Sequence, residues 1–164
     1  MSHPPFFRRS RSRSHVTSRC DAAILLGPDH FLPATAVFDY STDDPYTVRM
    51  TMRIDGARPS EWVFDRSLLI EGIEVPTGIG LVQVWPEAQP SNPPDAAPVD
   101  DLVIIRLGTP ESHATLAFSA VLVRDFVARI QQAVAMGTES DLLNLDSALA
   151  DLLSGAGNPE SGAA

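Results

Sequence analysis

The sequence predicts an α+β domain: antiparallel β-sheets with a short connecting helix and two C-terminal helices. Three observations carry that expectation. The stretch TVRMTMRI at 47–54 alternates strictly, with Val48, Met50, Met52 and Ile54 on one side and Thr47, Arg49, Thr51 and Arg53 on the other, the period of a strand with one buried face. Turn and breaker residues then punctuate the first two-thirds of the chain at strand-length intervals. Beyond residue 119 the apolar period lengthens to that of a helix, and strands followed by terminal helices point to antiparallel pairing. A length of 164 residues with 14 prolines and 10 glycines fits one domain with tails.

The elements follow in order. Residues 1–19 carry an Arg/Ser alternation and little apolar surface, and are expected to form a disordered arm. The domain proper is expected over 20–154. Residues 22–27 and 34–40 read as short strands separated by Pro28 and Pro33, with a turn over 41–45. Asp55 and Gly56 begin the reversal into a strand at 60–65, where Trp62 and Phe64 share a face. Asp65 then caps a helix of about two turns around Leu68 and Leu69, stopped by Gly72 and Pro76. Gly78 and Gly80 lead into a strand over 81–85, which Pro86 should end because it cannot donate to a ladder.

Residues 86–101 hold five prolines and four acids and predict an extended loop. Strands at 102–107 and 113–119 make a hairpin across 108–112. Leu122, Val123, Phe126, Val127, Ile130 and Val134 then share one face of an amphipathic helix, opposite Arg124, Asp125, Arg129, Gln131 and Gln132. A second helix is expected from Asn144, with Leu145, Leu149, Leu152 and Leu153 inward and a stop at Gly155, followed by a loose tail over 155–164.

Charge is divided unevenly. All twelve basic residues are arginine, and five of them fall in the first nineteen positions. From residue 20 onward seven arginines face twenty-one carboxylates, a balance of −14 that repels phosphate backbones and anionic headgroups and favours cationic partners. The arm reads either as an electrostatic tether for nucleic acid or membrane, or as a solvated extension. Arg8 and Arg9 lack the apolar run that an export signal needs after them, and no stretch approaches the roughly 18 apolar residues of a membrane span. The lone Cys20 offers neither an internal disulfide nor a thiolate metal site.

Catalysis finds few candidates. His3 and His15 lie in the arm, while His30 and His113 belong to no ligand spacing, so no metal and no cofactor is implied. Gly78 and Gly80 resemble half a phosphate loop but precede a strand, so no helix N-terminus is there to hold an anion. Arg49, Arg53 and Arg58 beside Tyr46 and Trp62 admit two readings, a strip for single-stranded nucleic acid or a solvated strand face, and the acidic body favours the second.

Several motifs in combination resemble one family. They are YSTDDPYTV at 40–48, with Asp44, Pro45 and Tyr46; EWVFDRSLLIEG at 61–72, with Trp62, Phe64 and Gly72; PTGIG at 76–80, with Pro76, Thr77, Gly78 and Gly80; and VQVWP at 82–86, with Trp85 and Pro86. The Phe126 helix, then Gly137, Thr138, Glu139, Leu145, Asp146 and Leu149, continue the match to about residue 153. The chain thereby resembles the SsgA-like sporulation and cell-division regulators of filamentous actinobacteria. That resemblance implies a Whirly-like fold, a bell-shaped homotrimer and a non-catalytic adaptor, cytoplasmic and at the septum. Its implied partners are cell-division or septal-wall proteins such as the tubulin-like GTPase FtsZ. Single-stranded nucleic-acid binding is the alternative by fold analogy. Leu81 and Gln83 depart from the Asp and Arg of the family pattern. Leu68 and Glu71 on the short helix, with Trp85, are the candidate partner contacts; Trp62 and Phe64 are large strand residues of the type that hold a core together.

Overall fold

The computed structural model describes residues 13–87 and 101–141. Its strands are β1 (His15–Gly27), β2 (His30–Ser41), β3 (Asp44–Arg53), β4 (Ser60–Asp65), β5 (Val82–Glu87), β6 (Leu102–Gly108) and β7 (His113–Ser119). Helix α1 (Arg66–Gly72) follows β4, α2 (Ala120–Ala133) follows β7, and a single 3-10 turn covers Glu139–Asp141. All seven strands lie in one antiparallel sheet of order β4-β3-β2-β1-β7-β6-β5.

That sheet curls. Helix α1 leaves β4 at one edge and packs on β5 at the other, so a seven-residue helix spans the gap between the two edges. Helix α2 lies across β1, β7 and β6 on the same face. Between sheet and helices Phe38 packs against Phe118 and Phe126 at ring separations of 5.4 and 5.5 Å, inside a core that also holds Val48, Met50, Leu69, Val84 and Ile130.

Several sequence expectations are corrected. Residues 15–19, expected in the arm, are strand: β1 begins at His15 and pairs along its length with β2, Val16 opposite Tyr40 and Arg19 opposite Val37, while 1–12 lie outside the described residues. The inward side of that stretch is Val16, Ser18 and Cys20, mostly small residues, so its alternation carries little hydropathy. Pro33 does not interrupt β2, which runs from His30, beyond the end of β3, where a missing N–H costs no ladder bond. Pro86 lies within β5, paired with Val103, because β5 is an edge strand and its outward side needs no donor. Leu122, expected inward, is 41% exposed. The body of the 86–101 loop, the second C-terminal helix and the 155–164 tail lie outside the described residues.

Candidate functional site

Helix α1 is fixed at both ends. Asp65 caps it, its Oδ1 accepting the Ser67 N–H at 2.8 Å. Gly72 does not end it in a left-handed turn: the cap is Ile73 in the right-handed region, and Gly72 is needed for space. A Cβ built there would sit 2.4 Å from Cβ of Val84, so only glycine lets α1 settle onto β5. Leu69 and Gly72 face the core, Leu68 is half-buried against it, and Glu71 is exposed.

The first residue of α1 anchors a polar network. Arg66 is 1% exposed. Its Nη1 donates to Tyr40 Oη at 3.1 Å and to the Val134 carbonyl at 2.8 Å, and its Nη2 donates to the Ala135 carbonyl at 3.2 Å and to Glu139 Oε1. Tyr40 Oη passes the chain on to the Pro45 carbonyl at 3.2 Å. A guanidinium at the C-terminal end of α2 also meets the negative end of that helix dipole. The Arg66 hydrogen bond, helped by backbone donors, holds the Glu139 carboxyl below its usual range. Burial pushes the Tyr40 hydroxyl up, against the opposing charge of Arg66. Arg124 Nε lies 3.9 Å from Glu74 Oε1, so the end of α1 meets the first half of α2 and its start meets the end of α2.

The family-motif residues divide by role. Pro45 is buried under Tyr40, whereas Asp44 and Tyr46 are exposed, Asp44 accepting from Thr47 Oγ1 at 2.6 Å. Phe64 is core and Trp62 packs partly against it. Thr77 exchanges two backbone bonds with Val84, at 2.8 and 2.9 Å. Gly78, at φ 97°, lies so close to the Val82 carbonyl that a side chain is excluded on both counts, while Gly80 meets nothing and Pro76 is exposed.

Trp85 is not brought together with Leu68 and Glu71. Val82 and Val84 point into the core beside α1, so Trp85 points to the opposite face, where it continues a row of Ile104, Ala117 and Ala23 and donates to Glu87 Oε2 at 3.3 Å.

Sequence reasoning missed Arg66, Glu139 and Tyr40 as a unit. The available signal was Arg66 itself, which shares the apolar side of α1 with Leu69 three positions on.

The described residues hold no cluster of three or more His, Cys, Asp or Glu side chains able to bind a metal. Cys20 is buried, and burial pushes its thiol up. Six of the nine arginines among the described residues are engaged: Arg13 with Asp43, Arg49 with Glu61, Arg66 with Glu139, Arg124 with Glu74, Arg129 with Asp125, and Arg106 with Gln83. That leaves Arg19, Arg53 and Arg58 among the described residues, and no continuous basic track among them for a phosphate chain.

Residues 34–139 match the family model described as "Streptomyces sporulation and cell division protein, SsgA". The sporulation-specific cell division protein SsgB of Streptomyces coelicolor is 35% identical, over 84% of this chain and 95% of its own length. Its counterpart in Kineococcus radiotolerans is 40% identical over 75% of this chain and 70% of its own. The fold is similar to two solved structures. One is an SsgA-like sporulation-specific cell division protein from Thermobifida fusca, with TM-score 0.71, 30% identity, and 87% of this chain and 98% of that one covered. The other is an SsgB of S. coelicolor, studied for mutations that correlate with longitudinal cell division during sporulation, with TM-score 0.70, 33% identity, and 79% and 96% covered.

Proposed function

The chain belongs to the SsgA family of sporulation and cell-division proteins, and from that premise we propose that it is a non-catalytic adaptor of sporulation septation. It acts at the septum as a homotrimer, positioning FtsZ or septal-wall remodelling proteins through its folded surface. The observation that carries this reading is the presentation of α1. A short helix with exposed Glu71 and half-exposed Leu68 is held rigidly by the buried Arg66 network below it and by the Gly72 contact behind it. Exposed polar positions on a rigid, pre-positioned element suit recognition, because little ordering entropy is lost on binding. Trimeric assembly multiplies such a contact by effective concentration.

The test is a strain lacking the chromosomal copy and its relatives, complemented with Leu68→Arg and Glu71→Arg variants. Disturbed septum spacing, with far-ultraviolet spectrum and mass by light scattering unchanged, supports α1 as the contact. Normal septation in Glu71→Arg would reject the site, and normal sporulation in the uncomplemented strain would reject the function.

A further inference from the structure

The two edges of the sheet are finished differently. On β5, Thr77 takes both the N–H and the carbonyl of Val84, and Pro86 has no N–H to offer, so that edge is closed to another strand. On β4, the outward backbone groups of Glu61 and Val63 bond to no described residue, while the Asp65 carbonyl opens the ladder of α1, and Val63 is 51% exposed. A row of unpaired N–H and carbonyl groups accepts one kind of occupant, an extended backbone.

The charges on β4 narrow the occupant further. Glu61, Val63 and Asp65 share the face away from the helices, all three exposed. Arg49 takes Glu61 Oε1 and the Ser67 N–H takes Asp65 Oδ1, which leaves Glu61 Oε2 and Asp65 Oδ2 with no donor among the described residues. An added antiparallel strand would set its own side chains opposite these three, two positions apart. A second copy of this chain is a poor fit: a two-fold centred on Val63 would place Glu61 against Asp65 twice, and like charges directly opposed destabilise a pair.

We propose that the β4 edge is a docking site for an extended segment of a partner protein with the pattern cation, any residue, apolar residue, any residue, cation. The partner adds an eighth strand, its apolar side chain against Val63 and its cations on Glu61 and Asp65. This surface adjoins α1 at Asp65, which caps the helix, but its occupant and its test do not depend on the role proposed for α1.

The experiment uses the full chain and a labelled synthetic heptapeptide, Thr-Arg-Thr-Val-Thr-Arg-Thr, followed by anisotropy and by amide hydrogen exchange. The expected result is saturable binding with exchange slowed in 60–65. A peptide with glutamate for arginine should not bind, nor should one with proline for the central valine, which keeps both charges and an apolar residue but removes the donor that faces Val63. Glu61→Lys, at an exposed position, should weaken the basic peptide about fivefold, the scale of one cross-strand charge pair. Absence of binding would overturn the proposal, as would protection confined to another strand. Equal binding of the proline peptide would reduce the effect to charge alone and would also overturn it. Protection of β4 that grows with protein concentration in the absence of peptide would make a second copy the occupant and reject a foreign strand.

Discussion

Arg66 and Glu139, seventy-three positions apart, form a buried ion pair that joins the start of α1 to the turn beyond α2. Cutting one partner out of such a pair leaves the other charge without compensation in a low-dielectric site. Arg66→Met, which also strips donors from Tyr40, Val134 and Ala135, should therefore cost about 3–5 kcal/mol. The double variant Arg66→Met, Glu139→Leu should recover part of that loss, because neither charge then remains. Urea unfolding of the two variants decides it; a double variant no more stable than Arg66→Met would show that the carbonyl bonds matter more than the ion pair.

The same pair makes stability depend on pH in one direction. The folded Glu139 carboxyl titrates below its ordinary value of 4.5, at which the unfolded chain takes up the proton. Its contribution is fully present above that ordinary value and is lost as pH falls through the lower, folded one. Glu139→Gln should therefore destabilise most near neutrality, with the gap to the wild type closing as the solution is acidified. Unfolding free energies measured by urea at a series of pH values check the sign, and a gap that widened on acidification would contradict the assigned charge state.

Gly72 and Gly80 give a paired test of close approach. A Cβ at Gly72 would lie 2.4 Å from the Val84 side chain, whereas one at Gly80 would meet no atom. Gly72→Ala should destabilise by about 1–3 kcal/mol, as overpacking does, and adding Val84→Ala should not relieve it, because alanine keeps the Cβ that lies nearest. Gly80→Ala should change stability by no more than about 0.5 kcal/mol. Thermal unfolding of the three proteins separates a steric cause from a general intolerance of the loop.

Elements with their own period were legible: β3, β4, β7, the cap of α1 at Asp65 and the start of α2 near residue 120 were all readable from alternation, breakers and spacing. What escaped depended on tertiary neighbours. The first half of β1 was hidden because Ser18 and Cys20 bury little area each and are held in register by β2. Whether a proline ends a strand depends on whether that strand is an edge, and the position of β5 in the sheet order is not written locally. Of the candidate contacts, exposed Glu71 followed from helix spacing. The separation of Leu68 from Trp85 onto opposite faces required the curl that seats α1 on β5. The Arg66 network joins residues from three distant stretches, and only the apolar side on which Arg66 falls hinted at it.

The start of β1 supplies the last test. Cutting the chain at the composition boundary, before residue 20, would remove His15, Val16, Thr17, Ser18 and Arg19, which pair with Ser41, Tyr40, Asp39, Phe38 and Val37. On their other side these residues have no β7 partner, since β7 pairs only with positions 22–25, and Arg129 of α2 reaches the Thr17 carbonyl at 3.2 Å instead. Removing them would leave β2 with an unpaired edge beside Phe38 and Tyr40, and strip Asp39 of its 2.6 Å bond from Thr17 Oγ1. Each net hydrogen bond lost is worth about 1 kcal/mol, and newly wetted apolar surface adds to that. A chain beginning at residue 13 keeps every one of these contacts. The expected outcome is a wild-type urea midpoint for the version starting at 13 and a clearly lower one for the version starting at 20. Equal midpoints would mean that the first half of β1 contributes nothing to the fold, and that the Arg66 network at Tyr40 is held without it.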